Sequence, residues 1–331
     1  MPMFSPATRG RGKVKKGDGA YVRKHASPLV LAGGKANLYF GNALDFYGDW
    51  PAPTVIISDG AYGVLGFDGD VATPGELAEW YLPHIKAWAQ RSTHRTTLWF
   101  WNTEAGWAAA HPLLEEHGWQ FVALHVWDKG KAHAAGKNTR NLKHLPIVTE
   151  VCAQYVRKPT IGGMALKEWL LHEWKRAGLK KGEANVAVGL KSAASRKYLD
   201  QGHLWYPPPP EAFEKLVAYA NRCGAPGGCP YFSLDGKRPL TKEEWSAMFP
   251  KFRPVQGVTN VWRRPPLRGR ERISRGKSAH PNQKPLDLTE LVIKLTSDPG
   301  DVVWEPLAPL PPLPASSFES GTSSTPPIRC G

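Results

Sequence analysis

A short run of apolar and β-branched residues, Pro53-Thr54-Val55-Ile56-Ile57, stops abruptly at Ser58-Asp59-Gly60. Continuously apolar rather than alternating, it fits a strand buried on both faces that opens into a loop. After Thr73-Pro74, the side chains of Leu77, Trp80, Tyr81, Ile85 and Trp88 fall at helical spacing, with Thr73 as N-cap and Pro74 as the first helical residue. Thr96 to Asn102 reads as a second buried strand, residues 108–117 as a helix closed by Gly118, and Trp119 to Trp127 as a third strand. Strand, helix, strand, helix, strand in this rhythm predicts an α/β fold whose parallel sheet is covered on both faces.

From about Thr160 the character changes to charged helices, then to Pro207-Pro208-Pro209-Pro210, then to loops rich in Gly, Pro and Arg up to Lys277. This stretch reads as a separate, mostly polar insert. The earlier rhythm then returns. Leu288, Leu291, Val292 and Leu295 mark one helix face, which stops at Ser297-Asp298-Pro299-Gly300, and Asp301-Val302-Val303-Trp304-Glu305 reads as another buried strand. Residues 1–27 read as a flexible basic arm. Its run Arg9-Gly10-Arg11-Gly12-Lys13-Val14-Lys15-Lys16 suits phosphate tracking and a solubilising tail equally.

Charge narrows the partner. The chain carries 43 Lys plus Arg against 29 Asp plus Glu, a formal net charge of +14. An anionic partner follows, nucleic acid first and an anionic membrane second. No run approaches the roughly 18 apolar residues of a spanning helix, and Met1 to Pro28 has no apolar core of a secretory signal, so a cytoplasmic protein without membrane attachment is expected. Cys152, Cys223, Cys229 and Cys330 lack metal-ligand spacing and are expected as reduced thiols. His144, His172 and His203 share no spacing and read as surface or satisfied histidines, so no metal site is expected. The 14 Trp residues suit a core, and those beside basic residues also suit base stacking.

Asp59-Gly60-Ala61-Tyr62-Gly63 follows directly on the first strand, where open α/β sheets bind their ligands. Asp59 there can accept a hydrogen bond from an amine, and Tyr62 can stack on a flat ring. A Gly-rich turn with an incidental Asp is the plain alternative. Far downstream stands His280-Pro281-Asn282-Gln283-Lys284-Pro285, followed by the helix bearing Leu288 to Leu295, the Ser297 to Asp301 turn and the last strand. Taken together these segments resemble the DNA N6-adenine/N4-cytosine methyltransferases, whose catalytic segment is Asp-Pro-Pro-Tyr or Ser-Pro-Pro-Tyr at a strand end. Asp59 and Tyr62 match it, while Gly60 and Ala61 stand in place of the prolines; Gly41-Asn42-Ala43-Leu44-Asp45 sits where those enzymes often carry a short Gly-Asp segment. Residues 280–285 resemble the family's His-Pro-Thr-Gln-Lys-Pro segment. The catalytic segment precedes the donor-binding one, as in the permuted β group. The resemblance covers about residues 35–160 and 258–306.

That resemblance implies a Rossmann-like S-adenosylmethionine methyltransferase sheet with an inserted, partly helical target-recognition region. The catalytic part would span 28–160, the insert 161–276, and the start of the cofactor-binding part 277–306. The implied reaction moves a methyl group from S-adenosylmethionine to the exocyclic amine of a base flipped out of double-stranded DNA. Asp59 and a neighbouring main-chain carbonyl would accept hydrogen bonds from that amine, and Tyr62 would stack on the base. Gly60, Ala61 and Gly63 would form the target-base loop, while Asn282, Gln283, Lys284, Pro285, Glu305 and Pro306 would face the cofactor. Asp rather than Ser at position 59 favours adenine N6 over cytosine N4. A restriction-modification setting, with a cognate restriction endonuclease as partner, is part of the same expectation.

Inside the insert, residues 164–176 read as a helix, and Gly182 to Val188, the turn at Gly189, and Ser192 to Leu199 as a helix-turn-helix with Ser192 as N-cap. A solvated helical hairpin is the competing reading. Lys191, Ser195, Arg196 and Lys197 would then meet DNA, as would the loop bearing Arg263, Arg264, Arg268, Arg270, Arg272 and Arg275.

At the last strand the pattern changes. The family continues into Asp-Pro-Phe-x-Gly-x-Gly, whose glycines admit the cofactor's methionine part. Here Glu305-Pro306 is followed by Leu307-Ala308-Pro309-Leu310-Pro311-Pro312-Leu313-Pro314, with no glycine before Gly321. The segment 307–331 reads as an aberrant Pro/Ser-rich tail, with a change of reading frame or a truncation near Pro306 as the expectation. Three functions stand open at this point: a DNA methyltransferase, a non-catalytic or degenerate DNA-binding relative, and an RNA-binding protein.

Overall fold

A computed structural model describes residues 27–65, 70–134, 143–200, 202–267, 283–307 and the backbone of 273–274 and 277–278. Residues up to Asn42 form one unit, and those from Ala43 onward a second. The first unit contains an antiparallel hairpin of β1 (Leu29–Leu31) and β2 (Ala36–Leu38). The basic arm and the tail beyond Leu307 lie outside the described residues.

The second unit runs in chain order through β3 (Val55–Ser58), α1 (Leu77–Arg91), β4 (Thr97–Asn102), α2 (Glu104–Glu116), β5 (Trp119–Asp128) and β6 (Thr149–Arg157). There follow β7 (Thr160–Ile161), β8 (Met164–Ala165), α3 (Leu166–Arg176), α4 (Glu183–Val188), α5 (Pro210–Cys223) and α6 (Lys242–Ala247). The chain then makes β9 (Val261–Arg263), β10 (Ile273–Ser274), β11 (Lys277–Ser278), α7 (Leu286–Thr296) and β12 (Val303–Trp304). A central six-stranded sheet has the order β12-β3-β4-β6-β5-β9. The fold is α/β, and its sheet is mixed. β12, β3 and β4 pair in parallel, as do β5 and β9, but β6 pairs antiparallel with both β4 and β5. The parallel rhythm read from the sequence therefore holds for β3 and β4 as neighbours, while β5 keeps the direction but is separated from β4 by β6. No crossover helix stands between β5 and β6 among the described residues, so the returning strand can only run back antiparallel.

Period-two alternation sorts the strand residues onto two faces. Val55, Ile57, Trp99, Trp101 and Cys152 join Leu288, Val292 and Leu295 of α7 on one face. Ile56, Leu98, Phe100 and Ala153 join Leu77, Tyr81, Ile85 and Trp88 of α1 and Ala110 and Leu114 of α2 on the other. Two indole tips inside this core are paired: Trp99 Nε1 donates to Thr296 Oγ1 at 3.0 Å, and Trp88 Nε1 to Tyr47 OH at 2.9 Å. The N-cap expected at Thr73 differs in detail. Pro74–Glu76 forms a 3-10 turn ahead of α1, and the Thr73 side chain makes no capping bond. Thr103, by contrast, caps α2 by accepting from Gly106 N at 3.1 Å.

Helices α3 to α6 build a core of their own. Leu166, Trp169, Leu170 and Trp174 of α3 pack with Phe213, Leu216, Phe232 and Trp245, the last stacked on Phe213 at 4.2 Å. The sequence expectation of a mostly polar stretch missed this, because each helix carries its apolar residues on one stripe among many charges.

Candidate active site

Asp59 leaves the carboxyl end of β3, and the loop it opens is pinned from below. Tyr81 OH on α1 donates to Ala61 O at 3.0 Å, and Asn102 Nδ2 at the end of β4 donates to the same oxygen at 2.8 Å. Gly60 is closely surrounded. A Cβ at this position would lie 2.5 Å from Leu307 Cδ1, 2.9 Å from Tyr81 OH and 3.1 Å from the Trp80 ring, so these side chains would have to shift to admit one. Leu307, just beyond β12, thus lies over the residue that follows Asp59.

Around Asp59 the strand ends gather a cluster of charges. Lys284, two residues before α7, places Nζ 2.8 Å from Asp59 Oδ1, 2.7 Å from Tyr62 OH and 3.3 Å from Glu150 Oε2. Tyr62 OH donates to Asp59 Oδ1 at 2.8 Å and lies 3.3 Å from Glu150 Oε2. Glu150, at the start of β6, is also paired with Lys129. The Lys284 side chain is only 7% exposed, and its ammonium lies 4.9 Å from the Tyr62 ring centroid and 5.6 Å from that of Trp101.

Electrostatics follow from that arrangement. Burial alone would raise the Glu150 carboxyl, but the charges of Lys284 and Lys129 outweigh it and hold the group below the usual range. Burial opposes the charged form of Lys284, while Asp59 and Glu150 more than reverse this and raise it. Tyr62 is pushed well up by burial, with Asp59 and Glu150 adding to the effect. Glu305, directly after β12, keeps part of its surface open; lost hydration and the nearby Asp59 charge still push its carboxyl up to about 7. Lys284 and Lys129 thus balance Asp59 and Glu150, and Glu305 adds an unmatched negative charge as pH rises past about 7.

The residues singled out from sequence distribute as follows. Asp59, Tyr62, Lys284 and Glu305 come together. Lys284, expected beside the cofactor, makes its contacts with Asp59, Tyr62 and Glu150. Tyr62, expected to stack on a base, is 6% exposed with Lys284 over its ring. Gln283 is exposed, Pro285 is buried at the start of α7, and Pro306 is half-buried beside Glu305. Asn282 lies outside the described residues, as do Arg268, Arg270, Arg272 and Arg275.

In the segment expected to meet DNA, α4 ends at Gly189 with φ 78°. The second helix expected from Ser192 is helical over residues 193–199, of π type at Ser195–Leu199. Ser195 is spoken for: its N donates to Asn185 Oδ1, and its Oγ accepts from Asn185 Nδ2, both at 3.1 Å. Lys191, Arg196 and Lys197 are exposed, the last with its ammonium 5.2 Å from the Tyr206 ring. Arg263 is exposed, whereas Arg264 pairs with Asp287 at 3.0 Å.

Sequence reasoning passed over Glu150, Lys129, Tyr81 and Asn102. Glu150 carried one usable signal, a lone acid entering the apolar run Val151-Cys152-Ala153. Tyr81 and Asn102 were read as core residues because periodicity does not show where a hydroxyl or amide tip ends.

The family model N6_N4_Mtase, DNA methylase, matches residues 54–306. Among solved structures, the chain is similar to the M1.HpyAVI–SAM complex at 14% identity, over 80% of this chain and 79% of that one, with a TM-score of 0.36. It is also similar to the PvuII DNA methyltransferase (cytosine-N4-specific) at 9% identity, over 64% of this chain and 90% of that one, with a TM-score of 0.30. No curated protein matches.

Proposed function

The chain belongs to the N6/N4 DNA methylase family, and from that premise we propose that it methylates the exocyclic amine of a base in double-stranded DNA, adenine N6 in preference to cytosine N4. One observation carries the proposal: Asp59 stands at the end of β3 beside β12, with Glu305 close enough for the two carboxyl charges to act on one another. The surplus of carboxyl over ammonium groups there suits a cationic cofactor. S-adenosylmethionine, when bound, supplies an electrophilic methyl group on a sulfonium centre. Glu305 and Asp59 are the residues suited to hold its positive end, with Pro306 and Leu307 as the apolar edge.

Within a duplex the amine is out of reach, so the base must leave the stack. Asp59 then accepts a hydrogen bond from the amino group and turns its lone pair toward the donor side. Lys284 and Tyr62 OH already share Asp59 Oδ1, so the incoming amine uses the other carboxyl oxygen or displaces the lysine. Exposed Lys191, Arg196, Lys197 and Arg263 supply phosphate contacts, in keeping with a net charge of +14. Among the described residues no helix is long and apolar enough to cross a membrane. A restriction endonuclease with the same recognition site is the partner that such a modification would oppose.

The test is transfer of labelled methyl groups from S-adenosylmethionine to duplex DNA. Wild-type chain transfers label, and Asp59→Ala loses it while still binding DNA. A second reading, a DNA-binding relative without catalysis, is favoured by the occupied Asp59 Oδ1 and the buried Tyr62 ring. Salt-sensitive DNA binding with no calorimetric affinity for the methyl donor would establish it and overturn the first.

A further inference from the structure

The loop Asp59-Gly60-Ala61-Tyr62-Gly63 has lost the ring restraint that two prolines give related enzymes, yet its backbone is fastened at successive atoms. Asp70 does most of this. Its Oδ1 accepts from Tyr62 N at 2.9 Å and Gly63 N at 2.8 Å, and its Oδ2 from Val64 N at 3.2 Å. Val71 N donates to the same Oδ1 at 2.9 Å, and Leu65 N to Val71 O at 3.2 Å. Asp70 is 9% exposed, so water competes little for these bonds. Gly63, at φ 71°, lies flat on the next segment: a Cβ there would sit 2.7 Å from Pro74 N and Thr73 C.

Prolines stiffen a chain by fixing φ and so by thinning out its alternative conformations. A carboxylate receiving consecutive main-chain amides reaches the same end by charge-assisted hydrogen bonds. The two devices differ in where the restraint resides. Proline restraint is spread along the loop itself, whereas here it is concentrated in one side chain eight residues beyond Tyr62.

We infer that Asp70 is a positioning residue for methyl transfer, its carboxyl holding the Asp59–Gly63 loop in the shape that presents Asp59 to the target amine. The inference rests on the methyltransferase reading for its kinetic part and on the hydrogen bonds for its structural part. It is tested with the full chain carrying Asp70→Ala or Asp70→Asn, by steady-state methyl transfer to duplex DNA and by amide hydrogen exchange. In Asp70→Ala, kcat falls about 100-fold, as for a reacting group displaced by about 1 Å, with KM for DNA nearly unchanged. Exchange at Tyr62, Gly63 and Val64 accelerates while the amides of β3 and β4 stay protected. Asp70→Asn keeps a neutral acceptor oxygen and recovers most of both losses. Unchanged exchange at those three amides in Asp70→Ala overturns the inference. So does a loss of protection throughout the sheet in both variants, which would make Asp70 a general stabiliser. A wild-type chain that transfers no methyl group sinks the proposed activity alone, because hydrogen exchange still decides whether Asp70 orders the loop.

Discussion

Glu150 beside the Asp59 loop and Glu173 in the helical region are both acids with little exposure, and they are satisfied by different means. Glu173 is matched locally. Arg176, one turn along α3, reaches it through Nε at 3.0 Å and Nη2 at 2.7 Å, and Phe232 N donates to it at 2.7 Å. The last bond also holds Phe232 in its left-handed conformation, φ 56°. Burial would raise this carboxyl, but Arg176 and the Phe232 amide bring it below the usual range, and the group ends saturated. Glu150 instead has two lysines from other elements, Lys129 and Lys284, and the second is far away in sequence and shared with Asp59 and Tyr62. A saturated pair is architecture. A shared, charge-deficient cluster is a place where a ligand's charge can change the balance.

That difference is open to attack from both sides, most forcefully at Lys284. Lys284→Met removes the cation common to Asp59 and Glu150, and breaking a buried pair in this way costs about 3–5 kcal/mol. The expected outcome is a lower urea midpoint together with loss of methyl transfer. Full stability in urea would show that the cluster is not held by charge. A smaller loss is expected at the other acid. Glu173→Ala strands Phe232 N–H and frees Arg176 to water, about 2 kcal/mol, and transfer per folded molecule stays at the wild-type rate. If Glu173→Ala lowered kcat in the folded fraction, the separation between an architectural and a functional acid would fail.

Much of this contrast could not be read along the chain. The β3 strand end, the α1 stripe and the α7 face were legible because each is a local period with clear punctuation. Lys284 was legible as part of a segment but not as a partner, since its contact with Asp59 spans 225 residues. The place of β6 between β4 and β5 was hidden for the same reason: pairing is non-local, and Thr149–Arg157 reads no differently at an edge or in the middle. Gly60 reads as a loss of stiffness, and the closeness of Leu307, Tyr81 and Trp80 to it is visible only in three dimensions. Asp70 carried no sequence signal beyond being an acid in a Gly-rich loop.

The smallest expected effect is also the most direct probe of the charge-deficient cluster. The Glu305 carboxyl is raised to about 7 by lost hydration and by Asp59. Its folded value lies above the unfolded one, so its contribution to stability is fully present below the unfolded value and lost as pH rises through about 7. A cationic methyl donor reverses that penalty, because it binds the ionised carboxyl better than the protonated one. Calorimetric affinity for S-adenosylmethionine should therefore weaken about tenfold from about pH 8 to about pH 6, the slope expected when one proton is taken up on release of the ligand. Glu305→Gln should flatten that dependence and leave affinity near the low-pH value. If affinity in the wild type is independent of pH across this range, Glu305 does not face the donor's charge, and the surplus of carboxyl groups at the strand ends must be balanced by something else.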